Sequence, residues 1–101
     1  MVFNPFGKPG GVVAGGSSHP PVVDKETILI YNALMARYYE VGRDFKMGHI
    51  SNATAEHQLR DIKNQAQNAE RNTKDLKVKI DLKNLVQLIN RFLTDKLAVS
   101  V

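Results

Sequence analysis

The chain has 101 residues, a formal net charge of +4 and no cysteine, which excludes disulfide staples, thiolate metal sites and thiol nucleophiles. A single domain at most fits this length, and no stretch approaches the ~18–20 apolar residues of a membrane span, so a soluble chain is expected. The missing cysteines fit a reducing compartment and favour an intracellular place or the inside of a particle.

All four prolines and five of the seven glycines fall within residues 1–21. Proline lacks an amide donor and glycine loses most entropy on ordering, so the chain divides near Val23 into an irregular Gly/Pro-rich arm, 1–23, and a helical body, 24–101. The arm does not have the form of a targeting segment. Its longest apolar run is Val12, Val13 and Ala14, and it holds no arginine and a single lysine, Lys8, where a signal peptide needs a longer apolar stretch and a presequence needs arginines. Fully extended, its 23 residues would reach ~75 Å, and Phe3 and Phe6 are its natural anchors in a partner's pocket. Gly11 to Ser18 (GVVAGGSS) has the glycine spacing of a phosphate loop, but serine stands where the lysine belongs and no strand precedes it, so it is read as an accident of a glycine-rich tract.

Asp24 is placed as an N-cap, with Val23 and Ile28 at the two positions of a hydrophobic staple. A first helix is predicted over about 24–47, its seam formed by Ile28, Tyr31, Met35, Tyr38, Gly42 and Phe45 at alternating spacings of three and four, widened by Leu34 and Val41. Such a seam packs lengthwise against another helix in the manner of a coiled coil. Gly42 costs up to ~1 kcal/mol of helix propensity and would let a neighbouring helix approach closely. Gly48 is the expected stop.

A second helix is predicted over about 52–73, capped by Ser51 or Asn52, with the seam Ala55, Leu59, Ile62, Ala66, Ala69, Thr73, Leu76 and Ile80. Alanines bury little area, so the stretch from Gln65 to Thr73 is expected to be an exposed helix or one that gains stability along a larger surface. From Leu76 to Lys83 apolar and charged residues alternate, which is strand periodicity. Val78, Leu82, Leu85, Ile89 and Phe92 equally make a helical seam, continuing into Val86, Leu93 and Leu97. Helix is favoured, over about 81–98 or continuous with the previous one, with a kink or break near 73–81; a strand added to another chain's sheet is the alternative. The fold class is therefore all-α, two or three amphipathic helices in a hairpin or small bundle behind an extended arm.

No catalytic constellation accompanies this plan. His19, His49 and His57 lack a metal-binding spacing, and Glu40 and Asp44 are read as solvated partners of Arg37 and Arg43. No cofactor is expected. Between Arg60 and Lys83 seven basic residues face four acidic ones, without a base-stacking aromatic, so Lys74, Lys77, Lys79 and Lys83 carry only the alternative reading, a small basic nucleic-acid-binding accessory protein. A third reading is an enzyme subunit whose site lies wholly on its partner. The expected function is a non-enzymatic structural or adaptor subunit that joins copies of itself or a larger protein, by analogy of architecture a minor virion or shell component. Its interface would comprise Phe3, Phe6, Ile28, Tyr31, Met35, Tyr38, Phe45, Leu85, Ile89 and Phe92. A body this small sits near break-even when its burial is set against chain entropy, which points the same way.

Overall fold

The computed structural model describes residues 22–99, and the expectations for the arm, Phe3 and Phe6 included, lie outside them. The described residues form three helices and no strand: α1 (Lys25–Lys46), α2 (Asn52–Asn72) and α3 (Leu76–Asp95). The links 47–51 and 73–75 are short, so successive helices run antiparallel and α1 lies parallel to α3. At 1.5 Å per residue each helix is about 30 Å long.

The helix ends follow from their capping residues. Ser51 accepts from the Thr54 N–H at 3.1 Å and opens α2. At the end of α1, the Gly48 N–H donates to the Phe45 carbonyl at 3.1 Å and the His49 N–H to the Asp44 carbonyl at 2.8 Å. With Gly48 at φ +77° this is a Schellman stop, a conformation that favours glycine.

The third helix begins at Leu76, not near residue 81, and the break before it is confined to Thr73–Asp75. The reason is local. Asp75 caps α3 by accepting from the Lys77 N–H at 3.1 Å and the Val78 N–H at 3.3 Å. The strand reading of Leu76 to Lys83 is corrected with it: wound as a helix, the alternation divides into two stripes, with Val78 and Leu82 inside and Leu76 and Ile80 outside, 73% and 58% exposed.

Asp75 belongs to a polar knot that ties both parallel helix starts to the end of α2. The Asp24 carboxylate caps α1 through the Thr27 N–H at 3.0 Å and also accepts from the hydroxyls of Thr27 at 2.6 Å and Thr73 at 3.0 Å. Thr73 Oγ1 accepts from the Asp75 N–H at 3.1 Å, and Asp75 Oδ2 accepts from the Asp24 N–H at 3.1 Å. Thr27, Thr73 and Asp75 are buried, each with its polar atoms partnered.

The core is aliphatic. Leu59 and Ile62 of α2 and Leu82, Leu85, Ile89 and Leu93 of α3 are its largest fully buried side chains, joined from α1 by Leu34 and Val41. The centre of α1's buried stripe is thus Thr27, Leu34 and Val41, and the predicted seam from Ile28 to Phe45 is its half-buried flank toward α3. The alanine-rich part of α2 buries one side against its neighbours, since Ala66 and Ala69 are buried. Small side chains there let α2 fit against both neighbours, so the larger surface it leans on is its own chain.

Gly42 does not serve a close approach inside the bundle. A methyl group there would meet only Phe92 Cε2, at 3.7 Å, an ordinary contact. Gly42→Ala is expected to stabilise the fold by roughly 0.5–1 kcal/mol through helix propensity, read as a higher urea midpoint; a lower one would contradict the unstrained contact a methyl group would make with Phe92.

Candidate functional site

The interface residues expected from sequence divide into two groups. Leu85 and Ile89 are 1% and 0% exposed, spent against the other helices of the same chain, with no surface left to offer a partner. Ile28, Tyr31, Met35, Tyr38, Phe45 and Phe92 are half-buried around the core and line one side of the bundle, where α1 meets α3. This is the loosest of the three helix contacts.

Every aromatic side chain among the described residues gathers on that side. Tyr38 meets Phe92 edge to face at 6.2 Å and Tyr39 at 5.6 Å, and Phe45 meets Phe92 edge to face at 5.7 Å. Edge-to-face rings of this kind prefer apolar surroundings yet keep the tyrosine hydroxyls wet, the balance found at protein interfaces. Toward the head of the bundle a cleft of about 450 Å³ is lined by Val22, Val23, Ile28, Tyr31, Lys77 and Asp81. Toward the foot a shallower one of about 140 Å³ is lined by Tyr38, Leu88, Arg91, Phe92, Asp95 and Lys96. Burial pushes the Tyr31 hydroxyl above its ordinary pKa and the Asp81 carboxylate pushes it further. Burial raises Tyr38 too, with Tyr39 adding to the shift and the Arg91 guanidinium opposing it. Both phenols stay neutral hydrogen-bonding groups at neutral pH.

The sequence-based interface missed two exposed members of this surface, Tyr39 at 64% and Leu88 at 38% exposure. Tyr39 adjoins Tyr38 in the chain, so a strict three-four seam passes over it. Leu88 is one residue from the buried Ile89 and is told apart from it only once α3's rotation is fixed.

Charge is handled differently on the three sides. Between α1 and α2, Arg37 reaches Asp61 at 2.9 Å and lowers the Asp61 pKa through that hydrogen bond. The sequence pairing of Arg37 with Glu40 or Asp44 is corrected accordingly: Arg43 approaches them, at 3.9 and 3.6 Å, and His49 Nδ1 lies 3.8 Å from Asp44. Between α2 and α3, Lys83 meets Glu70 at 3.7 Å. On the α1/α3 side, Lys77, Asp81, Arg91 and Asp95 make no ion pair among the described residues, although Lys77/Asp81 and Arg91/Asp95 are each four residues apart on one helix.

The four lysines of the nucleic-acid alternative do not share a stripe. Lys77 borders the α1/α3 cleft, Lys83 is engaged with Glu70 on the α2 side, Lys79, one turn before Lys83, lies on that same side of α3, and Lys74 lies in the loop. His49 and His57 are exposed, and no group of His, Asp and Glu among the described residues could hold a metal ion. No described helix is long and apolar enough to cross a membrane. No protein-family model, curated protein or solved structure matches the chain.

Proposed function

We propose that this chain is a non-enzymatic structural or adaptor subunit of a larger protein assembly, docking through its α1/α3 face with the N-terminal arm as a second tether. The observation that carries the reading is the collection of all described aromatic side chains on one face while the core is filled by aliphatic ones. Large rings left at the rim of a core bury further area only against another molecule, and tyrosines of this kind are common anchors of interfaces. Unpaired charges on the same face add specificity to such a contact.

The test is sedimentation equilibrium over a range of concentrations, with variants that leave the fold intact. Tyr39→Ala and Leu88→Ala remove exposed side chains from the face and are expected to weaken association by more than ~1 kcal/mol each, about five-fold or more. Arg37→Ala, on the α1/α2 side, should leave association unchanged. Equal effects from all three substitutions, or none from any, would remove the α1/α3 face from the proposal.

A further inference from the structure

Along α3, the edge of the α1/α3 face is formed by Lys77, Asp81, Asn84, Leu88, Arg91 and Asp95, at spacings of four, three, four, three and four. That is the repeat of a stripe that stays on one side of a helix over its whole length. Lys77 and Asp81 border the head cleft, and Leu88, Arg91 and Asp95 border the foot cleft. All of them are at least partly exposed, and none of the four charged ones has an ion-pair partner among the described residues.

The order of charges along this stripe is self-complementary when reversed. Laid antiparallel on a second α3 about a two-fold axis level with Val86, Lys77 faces Asp95, Asp81 faces Arg91, and Asn84 faces Leu88. Every charge then meets its opposite, and by symmetry each pair occurs twice. A shift of one helical turn in either direction removes this complete match and leaves charges at the ends of the stripe unopposed. The aromatic groups follow the same symmetry, because Tyr31 stands beside Asp81 and Tyr38 beside Arg91, so each member of the Asp81–Arg91 pair has a tyrosine next to it.

We infer that the occupant of the α1/α3 face is a second copy of this chain, joined in an antiparallel two-fold dimer through α3. This deepens the assembly reading and rests on it. The face is about 30 Å long and two helices wide, so each copy would cover on the order of 600 Å², toward the low end for specific complexes. A dimer of micromolar strength is the corresponding expectation.

The register makes a prediction that no general stickiness would satisfy. In sedimentation velocity on the full chain, from about 5 to about 500 µM, the wild type should pass from monomer to dimer. Asp81→Arg places two arginines against each other at both symmetry-related contacts, and Arg91→Glu does the same with acids, so each variant alone should dimerise at least ~10-fold more weakly. Mixed in equal amounts, the two variants should recover dimerisation to within about three-fold of wild type. In the mixed dimer the introduced arginine of one chain meets the introduced glutamate of the other, and the second contact keeps its native Asp81 and Arg91. Recovery on mixing also shows that both variants are folded. A wild type that stays monomeric over this range, reversals without effect, or a mixture no stronger than its components would each overturn the inference. Self-association that survives both reversals but falls with Tyr39→Ala would overturn this register while leaving the assembly reading standing.

Discussion

Ile89→Ala is expected to remove a large share of the fold's stability, while the same truncation one residue earlier, Leu88→Ala, should hardly change it. Ile89 is 0% exposed and sits in the aliphatic core with Leu59, Ile62 and Leu85, whereas Leu88 is 38% exposed at the rim of the foot cleft. Truncating a fully buried Ile or Leu to Ala costs about 2–5 kcal/mol, the lost transfer energy plus the cavity left behind. A body of this size has a total stability of about 4–12 kcal/mol. The loss at Ile89 therefore takes a large share of it, and at the lower end of that range the variant would be substantially unfolded at room temperature. Truncation at an exposed site usually stays within about 0.5 kcal/mol. Urea unfolding followed by circular dichroism, at a concentration low enough to keep both variants monomeric, checks the contrast. Equal midpoints for the two variants would mean that α3 is rotated from the position described.

That contrast also marks what the sequence could not separate. The helices, the caps at Asp24 and Ser51 and the stop at Gly48 were legible because each depends on residues within one or two turns. The rotation of each helix was not. On α1 the stripe Thr27, Leu34, Val41 and the stripe Ile28, Tyr31, Met35, Tyr38, Phe45 overlap, and only the position of α2 decides that the first is the centre. Thr27 is a polar residue at a buried position, allowed there because Asp24 accepts its hydroxyl, a fact no apolar pattern contains. On α3 the alternation from Leu76 to Lys83 obscured the start, although Asp75 before it is an ordinary capping residue and was the available signal. The aromatic members of the docking face were visible as a periodic seam, but Leu85 and Ile89 belonged to the interior, and the charged stripe on α3 emerges only when the helix is known to begin at Leu76. Arg37 with Asp61 is a contact between residues 24 positions apart and has no local sign at all.

The polar knot at the head of the bundle leads to the second large effect, at Asp75. Its carboxylate holds three backbone N–H groups, those of Lys77 and Val78 through one oxygen and that of Asp24 through the other. Asp75→Ala removes the α3 cap and the tie to the start of α1 together. Cap loss alone costs about 1 kcal/mol, and an N–H left buried without a partner costs about 1–3 kcal/mol, so a total of about 2–4 kcal/mol is expected. Asp75→Asn keeps one acceptor oxygen and should cost about half as much. Acid probes the same knot from its other carboxylate. The hydroxyl of Thr27, then its N–H, then the Thr73 hydroxyl hold the Asp24 pKa below the ordinary carboxylate value. A depressed folded-state pKa means that the unfolded chain takes up the proton first, so Asp24's contribution is fully present above about pH 4–5 and is lost as pH falls through the folded-state pKa. Asp61, its pKa also lowered, by Arg37, contributes with the same sign on a different side of the bundle. Urea midpoints measured at neutral pH and near pH 3 should therefore fall less steeply for Asp24→Asn than for wild type, and Asp61→Asn should flatten the remaining slope separately. An unchanged slope in Asp24→Asn would show that the knot is held by its hydroxyls and amides without need of the charge.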